Sequence, residues 1–316
     1  MMAPRCAVGA GTTHAPLELI QEQLRREAYY FQSYLPLLCA AYSRCTPVGN
    51  KTNGDIVLRE AKEFQDFKLR ATDGDIGKPR DFLFDDKHWT VRYLVAETGG
   101  WLMGREVLIS PYALAPANYA ERVLPVSLTK KQIEGSPALA SHQPVSRQYE
   151  SSYYDYYSWP NYGFGPYAWG VYPSLERHQA YERALDLEQD WDPHLRSTTA
   201  VTGHHIQALD AEVGHVEGFI IDDETWSIRY LVVDTKNWWP GKRVLVAPQW
   251  IERVSWQDAK VFLNLPRERI KQAPEYKPES LNRDYERSLY HHYDRPNYWD
   301  NEHSIRDKWV AAGAQR

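Results

Sequence analysis

The hydrophobic positions of this chain gather in short runs of β-branched and aromatic residues separated by turn residues. Thr90-Val-Arg-Tyr-Leu-Val-Ala-Glu-Thr98 and Ser227-Ile-Arg-Tyr-Leu-Val-Val-Asp-Thr235 are the densest, and such runs favour strands. In the second run Ile228, Tyr230 and Val232 share one face, while Leu231 and Val233 lie on the other beside Arg229. A strand apolar on both faces is expected to be covered on both. Asp81-Phe-Leu-Phe84 leads into Asp85-Asp86, whose carboxylates suit a turn because they can accept nearby backbone N–H groups. These segments predict a β-hairpin. Pro240-Gly241 predicts a second tight turn. Strands are also predicted at 105–109 and 243–246, stopped by Pro111 and Pro248, and at 121–126 and 258–263. Thr129–Ile133 reads as a helical turn at most.

The pattern occurs twice. Residues 71–111 align without a gap with 208–248, residue i matching residue i + 137, as in Gly77 with Gly214. Asp85/Asp222, Asp86/Asp223, Trp89/Trp226, Arg92/Arg229, Tyr93/Tyr230, Trp101/Trp238 and Gly104/Gly241 are identical pairs. The match extends upstream to Leu58-Arg59 and Leu195-Arg196, and downstream to Pro137 and Pro274. A tyrosine-rich tail is also duplicated, now matching i with i + 136: Tyr149, Glu150, Tyr154, Tyr157 and Tyr162 correspond to Tyr285, Glu286, Tyr290, Tyr293 and Tyr298. A repeat of this length implies one folding unit copied with its tail. Several short strands with turns between them predict a small barrel or sandwich.

An aspartate pair, a tryptophan three residues on, R-Y-L-V, then W-x-x-G before a short strand and Pro closely resembles the PRC-barrel domain. That family includes the cytoplasmic domain of the photosynthetic reaction-centre H subunit and the C-terminal domain of a ribosome-maturation factor. The resemblance covers most of 58–137 and 195–274. It implies a mainly β fold of two small PRC-barrel-like β-barrels with short helices and a Tyr/Pro-rich linker and tail. It also implies a module that binds other proteins or its own copy rather than an enzyme. No apolar run reaches the roughly 20 residues of a membrane helix, which separates this chain from the H subunit. A soluble scaffold is therefore the first expectation, and a photosynthetic electron-transport accessory or a ribosome-maturation accessory the alternatives. Membrane association is expected only for the reaction-centre-like alternative.

The expected organisation is an N-terminal extension at 1–56, a first domain at 57–137, a linker at 138–194, a second domain at 195–274 and a tail at 275–316. Leu17, Ile20, Leu24, Phe31, Leu35 and Leu38 have roughly helical spacing, interrupted at Pro36, so the extension is expected to be unstructured or a short helix. The repeat begins near Leu58, so translation from that region is also considered. Ser174–Leu185 predicts a short helix. The tail has two readings, a copied tether or an aromatic element docked on a barrel face, and docking is favoured because Tyr supplies contact area at low entropy cost.

Composition narrows the function. Apolar residues make up 43% and charged residues 25%, the balance of a globular protein. The net charge is −5, from 37 basic and 42 acidic side chains, and no basic cluster suggests a nucleic-acid partner. The three cysteines, Cys6, Cys39 and Cys45, build no disulfide framework, and a reducing cytoplasm is expected. Arg92 and Arg229 are expected to pair with Glu97 and Asp234. The histidine pairs His204-His205 and His291-His292 lack further ligands at metal-binding spacing. No cofactor, metal or catalytic set is therefore expected. The candidate partner-binding or structural residues are Trp89, Arg92, Trp101, Trp226, Arg229, Trp238, Tyr290, Tyr293 and Tyr298. The protein partner is unknown, and pairing of the two barrels or a homodimer is considered.

Overall fold

The computed structural model describes residues 58–137, 145, 147–159, 195–235 and 242–300. The N-terminal extension, the helix predicted at 174–185, the Pro240-Gly241 turn and Trp238 lie outside the described residues. The described part is mainly β. The first repeat contributes β1 (Leu58–Glu60), β2 (Lys68–Ala71), β3 (Gly74–Asp85), β4 (Thr90–Glu97), β5 (Glu106–Ile109) and β6 (Val123–Pro125). The second contributes β7 (Leu195–Ser197), β8 (His205–Gln207), β9 (Glu212–Asp222), β10 (Ile228–Asp234), β11 (Arg243–Val246), β12 (Ile251–Ser255) and β13 (Lys260–Leu263). The helices are short: α1 (Lys130–Glu134), α2 (Arg147–Tyr157), α3 (Thr198–Val201), α4 (Arg267–Lys271) and α5 (Arg283–Tyr293). No described helix is long and apolar enough to cross a membrane.

The strands form two mixed sheets. One runs β5-β4-β3-β2-β6 and the other β11-β10-β9-β8-β13-β12. Each contains one parallel pair, β2 with β6 and β8 with β13. Neither hydrogen-bonded path returns to its first strand. The expectation of two small β-barrels is corrected accordingly: among the described residues β5 and β11 each pair with a single strand, so the ladders stay open at those ends.

The first strand of each repeat belongs to the other repeat's sheet. Leu58, Arg59 and Glu60 pair with Asp222, Ile221 and Ile220. Leu195, Arg196 and Ser197 pair with Asp85, Phe84 and Leu83. These are the same contacts once 137 is added to the first-repeat numbers. In each sheet the exchanged strand lies on the side of the long strand opposite its hairpin partner, continuing the edge begun by β2 or β8. The sequence boundaries at 57 and 195 therefore mark repeats of the chain, and each sheet draws on both.

The R-Y-L-V strands are covered on both faces, as their composition demands: all seven residues of β10 are buried. Most of the core is continuous across the repeats, joining Phe64, Phe82 and Phe84 with Phe219, Trp226 and Tyr230. A smaller cluster of Tyr93, Val95, Leu108, Tyr153 and Tyr154 lies under α2. Gly77 and Gly214 let β3 and β9 cross close to the neighbouring strand. Their φ values are +135° and +147°, and a Cβ would stand 1.9 Å from the Glu97 carbonyl oxygen or 2.0 Å from that of Asp234. Only glycine fits there.

The duplicated tail is helical where it is described. Tyr149, Tyr153 and Tyr157 recur every four residues beside Glu150 and Tyr154, which places them along one face. In the second copy Asn282 caps α5, its side chain accepting from Asp284 N at 3.1 Å and Tyr285 N at 2.9 Å.

Candidate functional site

The duplicated polar residues converge on the β3–β4 and β9–β10 hairpins. Asp85 Oδ1 accepts from the backbone N–H of Lys87 at 2.8 Å and His88 at 3.2 Å, closing the turn. Its Oδ2 lies 2.8 Å from His88 Nδ1 and accepts from Arg92 Nη2 at 3.1 Å. Asp222 repeats this, accepting from Glu224 N at 3.0 Å, Thr225 N at 3.2 Å and Arg229 Nη2 at 2.7 Å. All four ion-pair residues are buried. Burial alone would raise both carboxyls. The His88 hydrogen bond and Arg92 charge outweigh it at Asp85, and the Arg229 charge and hydrogen bond outweigh it at Asp222. Both are held below the ordinary carboxylate range.

The expected pairing of Arg92 with Glu97 and Arg229 with Asp234 is corrected by these contacts. Five residues along a strand span about 16 Å, and an odd separation puts the side chains on opposite faces. The aspartate before the turn faces the arginine across the hairpin instead.

Trp89 and Trp226 end these turns in the left-handed region, with φ values of 56° and 58°. Bulky residues rarely adopt it. The conformation aims each tryptophan carbonyl at the other repeat: Ile228 N donates to Trp89 O at 2.7 Å, and Val91 N to Trp226 O at 2.8 Å. Between them Thr90 and Ser227 form an antiparallel bridge. Trp226 sits against Phe64 and Phe82 of the first repeat, with ring centroids 5.8 and 6.0 Å apart. Trp89 stacks on Phe84 at 5.2 Å.

The second aspartates bind across the seam. Arg196 Nε donates to Asp86 at 2.9 Å, and its guanidinium lies 4.4 Å from the Trp256 ring centre. At the counterpart position Tyr119 donates to Asp223, and the Arg59 guanidinium lies 4.3 Å from the Tyr119 ring centre. Tyr119 stands 137 residues before Trp256, so a cation over an aromatic face recurs on both sides.

Each tail helix lies on its own repeat's R-Y-L-V strand. Tyr93 Oη donates to Glu150 at 3.2 Å and Tyr230 Oη to Glu286 at 2.7 Å. Tyr153 additionally closes the edge of β5, donating to Leu108 O at 3.0 Å and accepting from Ser110 N at 3.1 Å. In the second copy Glu286 also accepts from Tyr298 at 3.1 Å and pairs with Arg283 at 2.9 Å. Burial raises the Glu286 carboxyl above its ordinary range despite Arg283. Tyr290 and Tyr293 pack on Trp250 at 5.3 and 4.5 Å, and the Arg229 guanidinium lies 4.3 Å from the Tyr298 ring centre.

Of the candidate residues, Trp89, Arg92, Trp226 and Arg229 thus gather at the seam, while Tyr290, Tyr293 and Tyr298 join the buried face beneath and beyond α5. Trp101 stands apart, donating from Nε1 to Ile76 O at 2.7 Å under the Lys130 ammonium. His205 Nδ1 lies 2.9 Å from Glu212, and His292 Nε2 lies 2.7 Å from Arg269 O. Among the described residues no group of three His, Cys, Asp or Glu side chains could hold a metal. The carboxylates under α2 and α5 were missed as functional partners of the R-Y-L-V tyrosines. Their signal was present, since Glu150 and Glu286 are an identical pair in the duplicated tail.

These contacts pair the buried Asp85 and Asp222 with Arg92 and Arg229, close the seam with aromatic rings and cover sheet faces with helices. No family model matches the sequence, and no curated protein matches it.

Proposed function

We propose that this chain is a non-enzymatic protein-binding or scaffold module built of two PRC-barrel-like units. One observation carries the reading. The repeats exchange their first strands reciprocally and meet at Thr90 and Ser227, making a two-fold platform with two related outer faces. Such a platform suits recognition of a partner or of a second copy, because its rigidity lowers the ordering cost of binding. The duplicated aspartate–arginine turns and two-face-buried R-Y-L-V strands support the PRC-barrel resemblance as the source of that platform.

The test is affinity capture with the full chain from its native cells, followed by rebinding with purified components. A single protein recovered in stoichiometric amount, which rebinds when purified, is expected. Background proteins alone, or steady turnover of a small molecule by the chain, would overturn the reading.

A further inference from the structure

One tail helix carries a line of touching tyrosines from the surface to a buried hydroxyl–carboxylate pair. Tyr156 of α2 is 43% exposed. Its ring centre lies 4.8 Å from that of Tyr157, which lies 5.0 Å from Tyr153, which lies 5.2 Å from Tyr93 on β4. Trp159 stacks on Tyr157 at 4.4 Å with an interplanar angle of 13°. Tyr153 and Tyr93 are fully buried. Such spacings are those of rings in direct contact, and an electron passes readily between aromatic rings that touch.

The hydroxyls distinguish the end of the line from its middle. Tyr156 and Tyr157 donate to Gln132 O at 3.0 and 3.4 Å, and Tyr153 donates to Leu108 O at 3.0 Å. A backbone carbonyl is too weak a base to take a phenol's proton. Tyr93 donates to the Glu150 carboxylate at 3.2 Å, and Glu150 is buried with it. A carboxylate can take that proton once the ring has lost an electron, because an oxidised phenol is a strong acid. The second repeat supplies the contrast. Tyr230 donates to Glu286 at 2.7 Å, but Leu289 holds the place of Tyr153 and His292 that of Tyr156. Rings touch there from Tyr293 through Trp250 to Tyr290, yet Tyr293 is itself buried. That copy of the line therefore starts from no exposed phenol.

We propose that α2 draws oxidising equivalents from the surface to Tyr93, so that the first repeat acts as a sink for one-electron oxidants of the peroxyl-radical class. This function goes beyond the protein-binding reading and stands without it. The peroxyl radical takes a hydrogen atom from the Tyr156 hydroxyl and leaves as the hydroperoxide. An electron from Tyr93 then crosses Tyr153 and Tyr157 to the Tyr156 radical, which takes a proton from solvent and regains its phenol. Tyr93 passes its own proton to Glu150. The hydroperoxide has carried off one hydrogen atom, solvent has supplied one proton, and Glu150 ends protonated. The unpaired electron rests on the buried Tyr93 ring, shielded from solvent and from coupling with a second chain.

The experiment oxidises the full-length chain by flash photolysis of ruthenium tris(bipyridine) with persulfate, a one-electron oxidant that acts from the surface. Freeze-quench electron paramagnetic resonance reads the tyrosyl radical, and dityrosine fluorescence reads surface radicals that couple between chains. A long-lived tyrosyl signal is expected in the parent chain and should be lost in Tyr93→Phe. Tyr153→Leu, which copies Leu289, and Glu150→Gln should lose it too, while dityrosine cross-links rise because the radical stays at Tyr156. Tyr230→Phe should change neither reading. Melting temperatures separate loss of the relay from loss of the fold. Tyr156→Phe, at an exposed position, should suppress the long-lived signal without touching the core. A long-lived signal that survives in Tyr93→Phe or Tyr156→Phe, or cross-linking left unchanged in folded Tyr153→Leu, would overturn the proposal.

Discussion

Thr90 forms an antiparallel bridge with Ser227, the residue that holds its own place in the other repeat. A residue can pair with its counterpart only where the local two-fold axis passes between them. The hydrogen bonds on either side obey the same symmetry, Ile228 to Trp89 and Val91 to Trp226. The exchanged strands β1 and β7 then lie at equal distances along the chain from that axis. Neither sheet is complete without the other repeat, so the two are coupled in stability as well as in position.

That coupling predicts a single unfolding transition for the two sheets. Trp226 belongs to the second repeat but fills space beside Phe64 and Phe82 of the first. Trp226→Ala should cost about 3–5 kcal/mol, the range for truncating a large buried aromatic. Denaturant unfolding should show the whole curve moved to lower concentration with its slope unchanged. Two separated transitions, one of them at the original midpoint, would refute the coupling.

Acid should attack the hairpin turns. The Asp85 and Asp222 carboxyls are held below the ordinary value of about 3.9 for a free aspartate. Below that value the unfolded chain takes up protons that the folded chain refuses. Their contribution is therefore complete above about pH 4 and drains away as the pH falls toward the folded values. Asp222→Asn leaves Arg229 buried without its counter-charge and should cost on the order of 3–5 kcal/mol at pH 7. The gap from the parent protein should narrow below about pH 4, as measured by urea unfolding at pH 7 and pH 3. A constant gap would show that Asp222 does not titrate as described.

Glu286 should act with the opposite sign. Burial raises its carboxyl in the folded state, so the folded chain holds a proton that the unfolded chain has released. Its contribution is complete below the unfolded glutamate value of about 4.3 and is lost as the pH rises through the folded one. Glu286→Gln should consequently be most destabilising near pH 4 and less so at pH 8. Thermal melts of both proteins across that range would test this, and a gap that widens with pH would reverse the assignment.

How much of this was legible in the sequence depends on what kind of contact was involved. The hairpin strands were legible because period-two apolar runs and an aspartate turn are local signals. The repeat was legible because identities at a fixed offset need no structure. The exchange of β1 and β7 was not, since Leu58-Arg59-Glu60 carries no mark of which sheet it joins; three residues fit either edge. The arginine partners were misread for a related reason. Proximity in sequence favoured Glu97, whereas the pleat and the hairpin bring Asp85 to Arg92. Docking of the tyrosine-rich tail on a barrel face is the favoured expectation, but no helix is predicted there, although the four-residue spacing of Tyr149, Tyr153 and Tyr157 encodes a helix face. Its partner is the single hydroxyl of Tyr93, which no local pattern announces.

The close crossing of β9 and β10 yields the sharpest contrast between two neighbouring glycines. A Cβ on Gly214 would stand 2.0 Å from the Asp234 carbonyl oxygen, at a φ of +147° that side chains rarely adopt. Relieving it means parting β9 from β10 at Asp234↔His215, where the sheet is buried. Gly214→Ala should therefore cost about 3 kcal/mol or more, since positive-φ strain and overpacking each contribute on the order of 1–3 kcal/mol. Gly218, four residues along the same strand, has no atom within 4 Å of its ideal Cβ and no positive φ. Gly218→Ala should be neutral or stabilising by up to about 1 kcal/mol, because alanine restricts the unfolded chain more than glycine does. Parallel urea titrations of the two variants decide the matter. Similar midpoints for both would mean that β9 and β10 do not approach as closely at Gly214 as this register requires.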